Sequence, residues 1–186
     1  MKMVIHYSAV AILMLLLTST WGQAGYYVAK AHLAQHLIAQ AWEQQLNHGE
    51  IVAPWSWADT YPIAKLTLDD GYPLYVLAGA NNRNLAFGPV LLTSDITSPN
   101  LAIAAHNDSH FASLEHVAVG DTIRLEFEDM RKVYQVEHIR IIDQHDVHIL
   151  SQYAGQQVTL ITCYPFETEM SSTDLRYVVQ GSLVNY

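Results

Sequence analysis

An all-β domain behind an apolar, helical N-terminal lead is the plan this sequence predicts. Three observations carry it. Residues 4–21 contain no Asp, Glu, Lys or Arg. Residues 26–46 contain no Gly or Pro and space Val28, Leu33, Leu37, Ile38 and Trp42 as a helix does. From residue 49 that period stops, and short β-like runs follow one another between turn residues.

The apolar stretch is at the lower limit of length for a membrane-spanning helix. Lys2 on its short side favours an N-terminus left in the cytoplasm. Two readings fit. A secretory signal would be cut after Gly22-Gln23-Ala24, whereas the length of the apolar core favours an uncleaved signal anchor over residues 1–24. Either way the remaining chain lies outside the cytoplasm. A helical stalk is then expected over 25–48, stopped by Asn47-His48-Gly49 with the glycine as cap.

The β-domain is expected over 49–186. Ile63 to Leu68 and Pro73 to Leu77 flank Asp69-Asp70-Gly71, a hairpin-type turn. Leu101 to Ala105 is a short apolar run. Thr122 to Glu128 puts Ile123, Leu125 and Phe127 on one face and Arg124, Glu126 and Glu128 on the other. Lys132 to Ile142 repeats the alternation, which makes an antiparallel hairpin around Asp129-Met130-Arg131. Val158 to Cys163 and Arg176 to Val184 complete the set. Many short strands in one domain imply a closed barrel or a sandwich.

Charge narrows the partners. With only nine Lys and Arg in 186 residues and a net charge of -9, the chain lacks the basic patch that phosphate backbones require. No nucleic acid is expected.

Cys163 is the single cysteine. In an exported chain it has no partner for an internal disulfide, so it is either an inert core thiol or a reactive group. A thiol that attacks a carbonyl needs a proton partner and a group to stabilise the oxyanion. His106, after the Leu101 to Ala105 run, and Arg176, opening the last strand, are the candidates. All three stand at strand ends, where a rigid scaffold meets a loop with room for substrate.

These segments resemble those of one family. Thr-Leu-Ile-Thr-Cys at 159–163 is similar to the T-L-x-T-C motif of sortases, the membrane-anchored transpeptidases. The stretch 101–111, L-A-I-A-A-H-N-D-S-H-F, resembles the sortase histidine segment, and L-R-Y-V-V at 175–179 resembles the arginine strand. Segments 54–66 and 85–89, with C-Y-P-F at 163–166, are similar to the single sortases of proteobacteria. The likeness spans about residues 50–184.

It implies an eight-stranded barrel behind the anchor helix. Cys163 would be the nucleophile, His106 the proton donor and acceptor, and Arg176 the holder of substrate backbone and oxyanion. Thr162 and Asp108 would serve substrate binding, Asp108 by organising the loop around His106. The implied substrate is an exported protein with a sorting signal near its C-terminus, and the amine acceptor is left open. The implied site is the periplasmic face of the inner membrane, and no cofactor is expected. Where the family commonly has Gly before the histidine and Arg after it, this chain has Ala105 and Asn107.

Two other readings compete. One is a thiol hydrolase, in which water takes the second step. The other is a non-enzymatic, His-rich metal-binding module, invited by the spacing of His106, His110 and His116 and of His145 and His148. Those spacings fall on loops and strands, which do not by themselves bring ligands to one point, and no metal site is expected.

Overall fold

The computed structural model of the chain describes residues 33–69, 71–93, 95–150, 155–166 and 173–184. The expected anchor, 1–24, and the stalk up to residue 32 lie outside the described residues. Among the described residues, no helix is long and apolar enough to cross a membrane. The chain divides into two compact units, Met1–His36 and Leu37–Tyr186, and the second holds the barrel.

Helix α1 covers residues 33–48. Within the second unit, Ile38, Ala41, Trp42 and Gln45 are buried at i, i+3, i+4 and i+7, the spacing of one helix face. Ile38 packs with Leu77 and Val90. The Gln45 side chain donates to the Pro62 carbonyl at 2.8 Å and accepts from the Val52 N–H at 3.2 Å. Gly49, at φ 67°, closes the helix by donating to the Gln45 carbonyl, as the sequence predicts. Residues 37–48 thus pack as an amphipathic element within the unit that holds the barrel.

Eight strands follow: β1 (Pro62–Leu68), β2 (Leu74–Leu77), β3 (Val90–Leu91), β4 (Asn100–Ala104), β5 (Thr122–Glu126), β6 (Arg131–Asp143), β7 (Gln157–Tyr164) and β8 (Leu175–Leu183). They close into a barrel in the order β1-β2-β3-β4-β7-β8-β6-β5. Closure leaves no unpaired sheet edge. The β2–β3 and β4–β7 pairs are parallel and the others antiparallel. The expected strands are all present, their ends moved by one or two residues. A two-residue strand, β3, and the short helix α2 (Asn82–Leu85) are additional.

The interior face is set by alternation. Leu101, Ile103 and Ala105, Val158 and Leu160, and Val179 with Tyr177 beside it belong to the main core. Successive strand side chains point to opposite faces. Ala102 and Ala104 therefore share the outer face with Thr159, Ile161 and Cys163 and with Arg176 and Val178. A 3-10 turn, Val147–Leu150, crosses near this face, because Asn100 donates to the Ile149 carbonyl at 3.2 Å. The Thr159 hydroxyl donates in turn to Asn100 Oδ1 at 2.8 Å.

Candidate active site

Strand register makes Cys163 and Arg176 direct partners across β7 and β8. On the other side of β7, Ala104 pairs with Ile161, and the Ala105 N–H continues the ladder by donating to the Ile161 carbonyl at 3.2 Å. His106 follows at once, just beyond the end of β4.

Cys163 is half-buried and free. That separates it from the packed core thiol, the other sequence reading, since the core occupies the opposite face of β7. His106 is exposed and Arg176 is half-buried.

The loop that carries His106 is tied at three points. Its first turn closes when the Phe111 N–H donates to the His106 carbonyl at 2.9 Å, with Phe111 fully buried beneath. The Asn107 amide donates to the Pro165 carbonyl at 2.9 Å, which links it to the segment just after Cys163. The Thr162 hydroxyl donates to the Ala105 carbonyl at 2.7 Å. Thr162 is only 2% exposed. Its hydroxyl ties β7 to the segment that leads into His106. Asp108 sits exposed on the turn. Its charge acts on His110, whose imidazole is held below its ordinary range first by burial and then by repulsion from His106, with Asp108 opposing both.

Arg176 is cradled by neutral oxygens. Nη1 donates to the Thr173 carbonyl at 2.6 Å and to the Leu175 carbonyl at 2.8 Å, and Nη2 donates to Gln144 Oε1 at 2.7 Å. Aromatic rings flank the Cys163–Arg176 pair: Tyr164 stacks on Tyr177 at 6.1 Å, and Phe166 meets Tyr177 edge-on at 5.0 Å. A cavity of about 780 Å³, lined by Trp42, Ile63, Phe127 and Asp129 among others, contains none of the three residues. By strand direction it opens at the other end of the barrel.

A thiol, an imidazole and a guanidinium are the kinds of group that acyl transfer through a thiol requires. A family profile described as Sortase domain matches residues 68–184. The chain belongs to the sortase family. Membership makes it a transpeptidase. Solved sortases share its architecture. Sortase A of Listeria monocytogenes is 25% identical, with a TM-score of 0.59 over 67% of this chain and 88% of that one. Sortase C1 of Streptococcus agalactiae, solved in complex with MTSET, is 26% identical, with a TM-score of 0.60 over 67% and 70%. The sortase D5 transpeptidase of Clostridium perfringens, at 17% identity and a TM-score of 0.65 over 83% and 99%, has the same fold. No curated protein matches the sequence.

The histidine-rich reading finds no support in this sortase. Among the described residues, no group of three or more His, Cys, Asp or Glu is placed to hold a metal ion. His145 instead pairs with Asp143 at 2.8 Å.

Sequence reasoning missed Asn107 and Gln144. Asn107 was visible only as a departure from the family pattern. Gln144 carries no motif, and only the β6–β8 pairing brings it to Arg176.

Proposed function

We propose that this sortase is a cysteine transpeptidase working through a thioacyl intermediate, with Cys163, His106 and Arg176 as its catalytic residues. The observation that supports the reading is the direct pairing of Cys163 with Arg176, with His106 two residues beyond Ala104, the partner of Ile161.

In the first half-reaction the Cys163 thiolate attacks a backbone carbonyl carbon in the sorting signal of an exported protein. The C–S bond forms, the C–N bond breaks, and the His106 imidazolium gives its proton to the departing amine. Arg176 donates N–H groups to the carbonyl oxygen as it becomes an oxyanion. In the second half-reaction an acceptor amine attacks the thioester, passes its proton to His106 and releases Cys163 as thiolate. Asp108 acts on the loop around His106, and Thr162 acts through the Ala105 carbonyl.

The uncharged stretch 4–21 supports an anchor in the inner membrane, with the barrel facing the periplasm. The domain plan that fits this is an anchor over 1–24 and a barrel unit that begins within the helix before residue 49. The half-reaction with water in place of the amine gives a hydrolase from the same residues.

The test works whatever the sorting signal is. The purified full-length chain is incubated with solubilised envelope proteins of its source cells, and Cys163 is inspected by mass spectrometry for a hydroxylamine-labile acyl adduct. An adduct that is absent in Cys163→Ala and reduced in His106→Ala is the expected result, and its peptide reports the signal. A product with a new amide marks transpeptidation, whereas a free carboxylate marks hydrolysis. A folded chain that forms no adduct with its substrate present overturns the reading.

A further inference from the structure

We infer that Gln144 is a positioning residue for Arg176, holding its guanidinium in place by hydrogen bonding while leaving its positive charge uncancelled. The inference rests on the reading above, in which Arg176 serves the oxyanion.

Gln144 follows the last residue of β6, and β6 flanks β8 on the side away from β7. Pairing of Ile142 with Arg176 and of Asp143 with Leu175 brings it to the arginine's end of the barrel. Its amide is fixed twice to Asp174: the backbone N–H donates to the Asp174 carbonyl at 2.7 Å, and Nε2 donates to Asp174 Oδ1 at 2.8 Å. The second bond orients the amide, so that Oε1 is the atom turned to Arg176 Nη2 at 2.7 Å. With Thr173 and Leu175 taking Nη1, three of the five guanidinium donors are used among the described residues. Among the described residues, Nε–H and one Nη2–H take no part in these bonds.

The chemistry of this cradle is selective. Two carboxylates stand nearby, and each takes its hydrogen bonds elsewhere, although the Arg176 charge still acts on Asp143 through space. Asp174 is held by the Gln144 amide, and Asp143 accepts from both the backbone N–H and the ring of His145, each at 2.8 Å. Among the described residues, the acceptors that hold the Arg176 guanidinium are all neutral oxygens. A direct ion pair would fix the side chain equally well but cancel the charge on which oxyanion stabilisation depends. An amide fixes it and leaves the charge in place.

The test uses Cys163 as the reporter, since it is the only thiol in the chain. Two methanethiosulfonates of similar size, anionic MTSES and cationic MTSET, are reacted with the purified full-length chain. The ratio of their second-order rates reads the local positive charge at the thiol. Gln144→Met keeps side-chain length and net charge and removes the acceptor for Arg176 together with the Nε2 donor to Asp174.

The expected result is a several-fold fall in the ratio for Gln144→Met and a larger fall for Arg176→Ala. Gln144→Met adds nothing to Arg176→Ala, and about 1 M salt flattens the differences. Thermal unfolding midpoints of wild type and Gln144→Met stay together, because the bond is exposed. The inference is overturned if Gln144→Met matches wild type while Arg176→Ala lowers the ratio, or if it lowers the ratio equally in both backgrounds. A ratio unmoved by Arg176→Ala overturns instead the oxyanion role of Arg176, and the inference with it.

Discussion

The Thr162 hydroxyl donates to the Ala105 carbonyl at 2.7 Å, and each of these residues immediately precedes a reacting group. One buried bond thus fixes the end of β7, which presents Cys163, against the end of the β4 ladder, which presents His106. Thr162→Val keeps the shape and removes the donor, leaving a buried carbonyl without that partner. The expected cost is about 1–3 kcal/mol of stability, read as a lower denaturation midpoint. Acyl-adduct formation at Cys163 slows as well, and Thr162→Ser recovers most of both effects. A variant that loses stability yet acylates at the wild-type rate would show that the bond is structural only.

Arg176→Lys retains the charge but not the planar fork. A lysine ammonium cannot hold Thr173, Leu175, Gln144 and an oxyanion in the fixed directions that the guanidinium allows. Acylation is expected to fall by about 10²–10³-fold, the range for loss of an oxyanion donor. The loss lies in the rate of the chemical step, not in substrate affinity. Single-turnover acylation at saturating peptide separates the two.

The charge state of His110 makes stability depend on pH with a definite sign. Burial, then repulsion from His106, holds its folded-state affinity for a proton below the ordinary value of 6.5. Below about pH 6.5 the unfolded chain therefore binds more protons at this position than the folded one. The contribution is fully present above that value and is lost as pH falls through it toward the folded-state value. Its slope is at most about 1.4 kcal/mol per pH unit. Urea midpoints of wild type and His110→Gln are expected to diverge between pH 7.5 and 5.5, with the variant the flatter of the two. Parallel curves would remove this histidine from the linkage.

How much of this was legible in the sequence follows from what each feature depends on. Strands β5 and β6 were legible because alternation is a local signal, but their register was not: the turn expected at Asp129-Met130-Arg131 lies at Glu128-Asp129, and Arg131 pairs with Glu126. Strand β3 was not: two residues after Gly88-Pro89 carry no period, and pairing with Leu77 on one side and with Ala104 and Ile103 on the other makes them a strand. The burial of α1 was half legible. Ile38 and Trp42 showed helical spacing, but the polar Gln45 on the same face takes its meaning from the Pro62 carbonyl it meets. Cys163, His106 and Arg176 were singled out through motif resemblance, and the pairing of Cys163 with Arg176 appears only in the register. Gln144 belongs to a contact spanning 32 residues, for which no local pattern exists.

Asn107 is where the chain departs from its family's usual arginine, and its amide bridges to the Pro165 carbonyl at 2.9 Å. The bond joins the loop after His106 to the segment after Cys163, so it sets how far apart the two reacting groups are held. Because it is exposed, its weight in global stability is small, about 0.5–1.5 kcal/mol at most. Its weight in the reaction is larger, since small displacements of a proton carrier slow transfer disproportionately. Asn107→Asp keeps the size and replaces the donor with a carboxylate that repels the Pro165 carbonyl, so it is expected to slow acylation more than Asn107→Ala does. Both variants keep melting temperatures near wild type. Equal rates for wild type and Asn107→Asp would mean that Thr162 alone holds the two strand ends in working register.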